Sequence, residues 1–310
     1  PTRQVNSPIV TYPESQFVPG TEGFYSLDNS KYHDPEFAPG ISRTLIVELL
    51  TQTPAHAESM MSGKFAKQVT KQMTGGTLFD QALLEPDKFK EGVTHWIIPD
   101  GMKLSTKEGI AWKKDHPDLP YLPASSDAAS VVSEEDIKGM IESVMHHKIA
   151  KAIVEQSVKQ ESGFAFDPDT GLLRKVRPDS RLIDKHSRLV LADVKSTFRG
   201  GASKGIWQKH CARMSYHVQD SFYSDVYRDL VGEMPFFLFI VVERKPPYAV
   251  RIFQLDPEGK RHARDKYKAA LQAFRKCQET GIWPAFDEEI QTVSLPSWEM
   301  QSPIIESADF

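Results

Sequence analysis

Cysteine is scarce in this sequence, which contains only Cys211 and Cys277 among its 310 residues. Two cysteines cannot build a disulfide framework or a zinc knuckle, and free cysteines are usually buried, so we expect two buried thiols. Long hydrophobic runs are also lacking, since none approaches the roughly 20 residues that a membrane-spanning helix requires. The start at Pro1 to Gln4 lacks the charged and apolar segments of a secretory signal. These absences favour a cytoplasmic protein without a membrane span.

The chain also lacks an excess of basic residues. It carries 38 Lys and Arg against 42 Asp and Glu, which gives a formal net charge of -4. Proteins that coat nucleic acid without sequence preference usually show a basic excess, so that class is disfavoured. A nuclease is compatible with this charge, because metal-binding carboxylates add negative charge while DNA responds to the local potential of one groove. Hydrophobic residues make up 40% of the chain, an ordinary value for a globular protein.

The chain is organised as one large domain with an N-terminal arm. Residues 1–40 are rich in Pro, Gly, Ser and aromatic residues without a clear period, so we predict an irregular arm that lies on the core. Residues 41–310 are predicted to form a single domain. Within it, residues 97–132 contain a cluster of prolines and are predicted to be a loop or insertion.

Helices are predicted where apolar residues recur at helical spacing after a capping residue. Ser42 is a suitable N-cap for a helix that Pro54 would end, and a second helix is predicted over residues 77–84. The sequence from Ser133 to Asp136 is typical of the start of a long helix. Further helical periods cover residues 205–231 and 257–280.

Strand periodicity begins at residue 161. Two alternating runs separated by the turn sequence Asp167–Gly171 predict a hairpin. The nearly continuous apolar run over residues 235–242 is typical of a strand covered on both faces. The other predicted strands lie at residues 181–183, 189–195 and 248–255. Helices before and after a central mixed β-sheet indicate an α/β (α+β) fold.

The residues with the clearest chemical meaning are Asp179, Asp193 and Lys195. Alternation along a strand turns Asp193 and Lys195 to one face and Val194 to the other. Asp179 follows an earlier strand and turn, from which the chain can return alongside. Two converging carboxylates need a cation between them, and oxygen ligands suit Mg²⁺ or Mn²⁺. Lys195 could then position or deprotonate the attacking water and offset charge on a phosphate. The alternative is a solvated pair of little energetic weight.

Three further residues extend this candidate site. Glu161 begins the hairpin that leads to Asp179, so it could supply a third carboxylate, or it could be a surface glutamate. Gln219 and Tyr223 are four residues apart on one helix face, with Tyr216 one turn before them. Such donors suit a phosphate or a DNA end. An amphipathic helix with aromatic core contacts would explain the tyrosines equally well.

The pattern of Arg177-Pro178-Asp179 followed by Asp193-Val194-Lys195 resembles the signature of the PD-(D/E)xK nucleases. Gln219 and Tyr223 behind it resemble the Gln-x-x-x-Tyr motif of nucleases similar to the lambda exonuclease. The resemblance implies a restriction-endonuclease-like core with a central mixed sheet flanked by helices.

From about residue 24 onwards, the chain resembles the C-terminal nuclease domain of the exodeoxyribonuclease VIII-type phage recombination exonucleases. The similar segments follow one another in the same order. They are Phe24–Asn29 with Tyr32 and His33, Gly40–Ser42, Gly76–Phe79, Leu84–Pro86, Asp167–Asp179, Asp193–Thr197, Tyr216–Asp220, Phe222–Asp225, and Ser294–Pro296 with Trp298.

This resemblance implies a 5′-to-3′ exonuclease that digests linear duplex DNA processively and leaves 3′ single strands for recombination by strand annealing. It also implies a homo-oligomeric ring, a trimer or tetramer, that works on DNA ends with a single-strand annealing recombinase in the cytoplasm of a bacterial host cell. Mg²⁺, with Mn²⁺ as a substitute, would be held by Asp179, Asp193, the Val194 carbonyl, Glu161 and Asp80. Lys195, Asp179, Asp193, Glu161, Gln219 and Tyr223 would form the catalytic group.

One position departs from the pattern of the family. Its Gly-Thr-x-x-His helix carries a histidine that helps to hold metal, and here the corresponding residue is Asp80. An aspartate can bind Mg²⁺ directly or through water, so the activity can be retained. The same change is compatible with a weakened enzyme that grips DNA ends without cutting them. A site-specific endonuclease on the same fold is a third possibility.

Basic residues near the motif are candidates for DNA contacts. Gln219, Tyr223, Arg177, Thr197, Arg199 and Lys204 are predicted to bind DNA, the last two from a glycine-bearing loop. The lysines at 103, 107, 113 and 114 could also touch the DNA backbone or form a solvated face. His146 and His147 are adjacent and would point about 100° apart on a helix, so no zinc site is predicted there.

Overall fold

The structure is a computed structural model that describes residues 9–65, 70–125, 132–297 and 299–300. The start of the predicted arm (residues 1–8), residues 126–131 of the predicted insertion, Trp298 and residues 301–310 lie outside these ranges.

The elements follow one another along the chain as strands and helices in alternating groups. The strands are β1 (Thr11–Pro13), β2 (Gly23–Ser26), β3 (Trp96–Ile98), β4 (Tyr121–Pro123), β5 (Val158–Lys159), β6 (Ser162–Phe166), β7 (Leu173–Val176), β8 (Ser180–Ile183), β9 (Leu189–Thr197), β10 (Phe236–Glu243) and β11 (Val250–Phe253). The helices are α1 (Asn29–His33), α2 (Arg43–Thr51), α3 (Pro54–Met61), α4 (Lys71–Leu84), α5 (Lys107–Asp115), α6 (Glu134–His146), α7 (Lys148–Gln156), α8 (Lys204–Arg213), α9 (Tyr216–Val231) and α10 (Pro257–Thr280).

A five-stranded mixed sheet with the strand order β11-β10-β9-β8-β5 forms the centre of the fold. β9 and β10 run parallel, whereas the other neighbouring strands are antiparallel. Most residues of β9 and β10 are buried, because helices cover both faces of these central strands. The predicted α/β (α+β) class with a central mixed sheet flanked by helices is therefore confirmed.

Alternation along β9 divides the core into two clusters, one on each face of the sheet. Leu189 and Leu191 pack with residues of α2, α8, α9 and α10 on one face. Val194 packs with residues of α4, α6 and α7 on the other face. Asp193 and Lys195 have the same parity as the leucines, so they continue the first face, as the period of a strand predicts.

A second sheet has the strand order β1-β2-β6-β7, and its β6–β7 pair is the predicted hairpin. β2 pairs antiparallel with β6, and β1 pairs parallel with β2. The expectation of an irregular arm over residues 1–40 is therefore wrong for its described part, which supplies two strands and α1. Strands of three and four residues are too short to show a period in the sequence, and their pairing is tertiary, since β2 pairs with β6 and β1 with β2.

The predicted insertion contains regular structure of its own in the described part. β3 and β4 pair in parallel, from Trp96 opposite Tyr121 to Ile98 opposite Pro123. α5 lies between them in the sequence, and its N-cap Thr106 accepts a hydrogen bond from the backbone N–H of Gly109. The prolines thus border a small sheet and helix rather than one long loop.

Several helix boundaries differ from the prediction. Ser42 caps α2 as expected, but Pro54 occupies the first turn of α3 instead of ending α2. α4 begins at Lys71, before the glycines at 75 and 76. The long helices predicted from Ser133 and over residues 205–231 each divide into two, at His147 and at Met214-Ser215. None of the helices in the described ranges is long and apolar enough to cross a membrane.

Candidate active site

The site forms where β8 begins and leaves the edge of β9 partly uncovered. The register places Ser180 opposite Ala192, so Asp179 stands next to Asp193 in the neighbouring strand. A side-chain oxygen of Asp179 accepts the backbone N–H of Val194 at 2.7 Å, in place of a strand partner. Asp179 is thus fixed against β9 by a main-chain hydrogen bond.

The position of Val194 in β9 also determines the direction in which its carbonyl points. In an antiparallel pair, the N–H and C=O of one residue point towards the same neighbouring strand. Because the N–H of Val194 meets Asp179, its carbonyl also points to the side of Asp179, where β8 offers no partner beyond Ser180. A main-chain oxygen and two carboxylates therefore converge on one region.

Two side-chain donors hold the carboxylate of Asp193. The ammonium of Lys195 contacts one of its oxygens, and the side-chain amide of Gln219 in α9 donates to the other. Lys195 also lies 5.0 Å from the ring centroid of Tyr216, one turn before Gln219. The predicted helix face thus meets the predicted strand face. Gln219 contacts Asp193 directly, a role that the sequence did not specify.

Asp80 joins the group from the other side of the sheet. It lies on α4 and lines, with Asp179 and Tyr223, a cleft of about 250 Å³. Burial and the negative charges of Asp179 and Asp193 raise the pKa of Asp80 well above its ordinary value, although Lys195 acts in the opposite direction. Asp80, at which the sequence departs from the Gly-Thr-x-x-His pattern of the exonucleases that it resembles, therefore belongs to the same acidic cluster.

The electrostatics of the site indicate an excess of negative charge. Burial and the charge of Asp193 raise the pKa of Asp179, and Lys195 and the N–H of Val194 offset only part of this effect. Burial alone would lower the pKa of Lys195, but the adjacent Asp193, with Tyr216 and Asp179, raises it above its ordinary value. Lys195 is therefore an ammonium donor at neutral pH, which favours charge compensation over proton abstraction.

The residues fit a hard divalent cation by their chemistry. Asp80, Asp179 and Asp193 supply carboxylate oxygens, Val194 supplies a carbonyl, and their mutual repulsion would fall if a cation lay between them. Among the described residues, no group of three or more His, Cys, Asp or Glu side chains is arranged to hold a metal ion as it stands. Asp193 instead engages Lys195 and Gln219, so its donors would rearrange when metal binds.

Glu161 does not belong to this cluster, and the expectation that it completes the metal site is corrected. Its buried carboxylate accepts two hydrogen bonds from Arg181, at 2.7 and 2.8 Å, and one from the hydroxyl of Tyr227 at 3.0 Å. The hydroxyl of Thr11 in β1 donates to it as well. A carboxylate with these four donors has little capacity left for a cation.

The predicted DNA-contact residues differ in their accessibility. Arg199 and Lys204 are exposed, as a contact with DNA requires. Thr197 is buried with an exposed fraction of 1%, so the expectation that it contacts DNA is corrected. Arg177 lines the acidic cleft, but its guanidinium donates to the Leu27 carbonyl, Ser162 and Gln160, which indicates a mainly structural role. Tyr223 lines both clefts of the site, and burial raises its pKa to about 12, so its hydroxyl remains a donor.

A second cleft, of about 450 Å³, adjoins the first and shares Tyr223 with it. Its lining by described residues includes Arg43, Lys175 and Lys195 but no acidic residue. The sequence analysis did not single out Arg43 or Lys175. A signal existed for Arg43, since it follows the N-cap Ser42, whereas the alternating pattern of β7 gives no indication that Lys175 is 94% buried.

Comparisons with known proteins agree with this fold. Residues 42–296 match the family described as "PDDEXK-like domain of unknown function (DUF3799)". A comparison with curated proteins finds no match. The solved structure of a "Putative exonuclease" from Eubacterium rectale is 12% identical, with a TM-score of 0.59, over 90% of this chain and 99% of that chain. A second solved structure, SSO0001, is also 12% identical, over 62% of this chain and 84% of that chain, but its TM-score of 0.26 supports no argument.

The mixed sheet, the paired aspartates at its strand ends and the adjacent lysine define a nuclease-like domain of the PD-(D/E)xK class. Within this class, the chain belongs to the family of PDDEXK-like domains of unknown function, DUF3799.

Proposed function

We propose that the protein is a divalent-metal-dependent exodeoxyribonuclease that digests duplex DNA from its ends. The observation that carries this proposal is the convergence of Asp179, Asp193 and Lys195 at the junction of β8 and β9, with Asp80 facing the same cleft. Acidic oxygens beside a permanent ammonium suit the hydrolysis of a phosphodiester, whose negative charge grows during the reaction.

Asp179, Asp193, Asp80 and the Val194 carbonyl would hold Mg²⁺, for which Mn²⁺ could substitute. A bound ion of this kind supplies Lewis acidity and a water of lowered pKa. The residues of the chain have separate roles around it. Lys195 donates to the phosphate, Gln219 orients Asp193, and Tyr223 offers a hydroxyl to the strand that enters the cleft.

The finer properties of the proposal are supported by the sequence resemblance to the phage recombination exonucleases. They are a 5′-to-3′ direction, processive digestion and 3′ single-stranded products for strand annealing. The same resemblance supports a ring of identical subunits, a single-strand annealing recombinase as the partner and an action in the cytoplasm of a bacterial cell.

A DNA-end-binding protein without nuclease activity is the second candidate. The observation that favours it is Asp80, which adds a third carboxylate where the related enzymes carry histidine. An additional negative charge at the site would weaken the approach of a phosphate unless a cation is bound.

Incubation with linear and covalently closed duplex DNA in the presence of Mg²⁺ distinguishes the candidates. We expect the linear DNA to shorten progressively while the closed circles survive. Binding of linear DNA without shortening would support the end-binding protein, and cleavage of the circles would indicate an endonuclease.

The variant Lys195→Ala tests the assignment of the site. Loss of its ammonium should abolish cleavage and leave DNA binding largely intact, because binding uses many other phosphate contacts. Lys268→Ala is the matched control, since Lys268 on α10 forms an exposed ion pair with Asp169 in the turn between β6 and β7. Cleavage by Lys195→Ala at the rate of Lys268→Ala would refute the assignment.

A further inference from the structure

The segment that follows the candidate active site has an excess of basic residues, in contrast to the chain as a whole. Acidic residues outnumber basic ones in the whole sequence, by 42 to 38. Between Asp193 and Asp220, however, there is no Asp or Glu. The basic residues in this stretch are Lys195, Arg199, Lys204, Lys209 and Arg213. A local potential of positive sign is therefore expected beside an acidic metal site.

We name the other four residues, Arg199, Lys204, Lys209 and Arg213, the basic face: Arg199 and Lys204 precede or begin α8, and Lys209 and Arg213 share one side of it. All four are exposed, and none forms an ion pair with the described part of the chain. Lys209 and Arg213 are four residues apart on the outer side of α8, whose Trp207 and Cys211 pack into the core. The cations of the basic face are thus available to an external partner.

An aromatic side chain lies at one end of the basic face. Phe198 directly follows β9 and is 45% exposed. The rings of Phe198 and His210 form a T-shaped pair, with 6.4 Å between their centroids. Nearly half of the Phe198 side chain is therefore accessible to a planar ligand, and cations lie beside it in the sequence.

The loop that carries Phe198 has a fixed shape. The carbonyl of Phe198 accepts the N–H of Gly201 at 2.9 Å, and Gly200 has a φ of 84°, as the third position of a tight turn requires. A Cβ at Gly201 would lie 2.2 Å from the hydroxyl of Thr197, so no other residue fits there. The carboxylate of the buried Glu243 accepts the N–H of Ala202. These contacts hold Phe198 outward before any ligand binds.

The position of the loop connects it to the active site. Phe198 is three residues after Lys195 in an extended chain, which corresponds to about 10 Å. Ser203 caps α8 without a side-chain hydrogen bond, so the first N–H groups of α8 are open to an anion. A strand that leaves the cleft near Lys195 would meet Phe198 first and the basic face next.

We propose that Phe198 and the basic face bind a single strand of DNA beside the active site, with one base stacked on the Phe198 ring and the backbone phosphates along α8. This proposal rests on the proposed nuclease function for the identity of its ligand. Single-strand binding surfaces combine cations that follow the backbone with aromatic rings that accept unpaired bases. Bases in an intact duplex are already stacked and paired, so a ring of this kind selects the unpaired strand.

Fluorescence anisotropy with a labelled thymidine homopolymer, measured without divalent metal, tests the stacking contact. Phe198→Ala should weaken binding by about tenfold, since one base–aromatic stack contributes roughly 1–3 kcal/mol. Phe198→Trp should restore it. Phe166→Ala is the matched control, because Phe166 is 44% exposed on β6. Equal affinities of Phe198→Ala and Phe166→Ala would overturn the proposal.

The dependence of binding on salt tests the basic face separately. The double variant Lys209→Ala/Arg213→Ala should reduce the slope of log K against log salt by about 1.4, because each phosphate contact on a single strand contributes about 0.7. Lys148→Ala/Lys151→Ala removes the same charge from α7 and should leave the slope unchanged. Identical slopes for the two double variants would show that Lys209 and Arg213 of the basic face do not contact the bound strand.

These measurements do not depend on cleavage. If the wild type fails to digest linear DNA but Phe198→Ala still weakens strand binding, the proposed nuclease function fails and the single-strand surface stands. If linear DNA is digested and Phe198→Ala binds and cuts like Phe166→Ala, the single-strand surface fails and the nuclease function stands.

Discussion

Glu161 and Arg181 form a buried ion pair beneath the site, and neither residue is free to act in it. Their side chains are 0% and 8% exposed, and the hydroxyls of Tyr227 and Thr11 complete the hydrogen bonding of the carboxylate. Loss of either residue of such a pair destabilises the protein, since removal of one charge leaves the other buried without compensation.

Glu161→Gln should therefore lower the stability of the protein without altering its metal affinity. We expect a loss of about 3 kcal/mol in the free energy of unfolding, because the guanidinium of Arg181 would remain buried without a counter-charge. Urea denaturation measures this loss, and a Mn²⁺ titration measures the affinity. A variant of normal stability that no longer binds Mn²⁺ would restore Glu161 to the metal site.

Tyr216 is expected to position Lys195. Its ring centroid lies 5.0 Å from the ammonium, and Trp207 stacks on the ring. Tyr216→Leu should slow the cleavage of linear DNA by about tenfold, which corresponds to the loss of one cation–π contact of 1–2 kcal/mol.

Tyr216→Phe keeps the ring and should retain nearly the full rate. The comparison excludes a purely structural role only if both variants melt at similar temperatures. Equal rates for the leucine and phenylalanine variants would show that the ring does not direct Lys195.

The candidate site residues that the structure brings together are ones that local periodicity can group. Asp193 and Lys195 share a strand face, and Gln219 and Tyr223 share a helix face, so local periodicity predicts both pairs. Glu161 was misassigned because its partner Arg181 lies twenty residues further along the chain and meets it only in the folded state. Local patterns cannot show which tertiary partner neutralises a buried charge.

At the level of elements, β7 fixes the segment before α2 through Lys175. The ammonium of this residue donates to the carbonyls of Tyr32 at 2.9 Å and Ala38 at 2.7 Å, and it is 94% buried. Burial lowers the pKa of Lys175 to about 8, and the nearby charge of Asp34 opposes this effect only in part. His33 and the ring of Tyr32 are the other groups around it.

This pKa predicts that stability rises with pH above about 8. In that range the unfolded chain, in which the lysine keeps a pKa near 10.4, binds more protons than the folded one. Stability should therefore increase between pH 8 and pH 10, by at most about 3 kcal/mol from this residue. The difference in urea denaturation between the wild type and Lys175→Met isolates the effect. A parallel pH dependence in both proteins would contradict it.

The loop after β9 allows two glycine substitutions with opposite expected signs. Gly201→Ala should destabilise the protein by roughly 1–3 kcal/mol, because its Cβ would overlap the hydroxyl of Thr197. Gly205→Ala should stabilise it by roughly 0.5–1 kcal/mol, since Gly205 is helical and faces open space. Thermal melting measures both. Equal effects would show that the turn at Phe198 is not constrained as described.

Element boundaries were predicted less well than element types. Residues 205–231 carry one continuous helical period, yet the chain breaks at Ser215, which has a φ of 54°. No residue type in this stretch requires a break, since serine is not typical of the left-handed region. Both α8 and α9 pack into the same core cluster, and the tertiary packing that requires the break between them is invisible to a local pattern.

At the level of the whole molecule, the acidic cluster is expected to reduce stability in the absence of metal. Asp80→Asn removes one of three carboxylates that repel one another, so the variant should melt at a higher temperature without divalent ions. A gain of about 1 kcal/mol corresponds to roughly 2–4 °C for a chain of this size. Asp87→Asn, on an exposed residue of the same segment, should have no effect.

Addition of Mg²⁺ should raise the melting temperature of the wild type, because a ligand that binds only the folded state stabilises it. The same addition should affect Asp80→Asn less. A variant with a lower melting temperature and an unchanged response to Mg²⁺ would place Asp80 outside the metal site.

The N-terminal strands β1 and β2 belong to the part of the chain that must be kept intact for the protein to fold. The family match begins at residue 42, but β1 and β2 precede it and cover the edge of β6. A polypeptide trimmed to the matched region would expose that edge and uncover Phe164, and unpaired edges of this kind seed aggregation. The matched region is therefore shorter than the part of the chain that is expected to fold without aggregating.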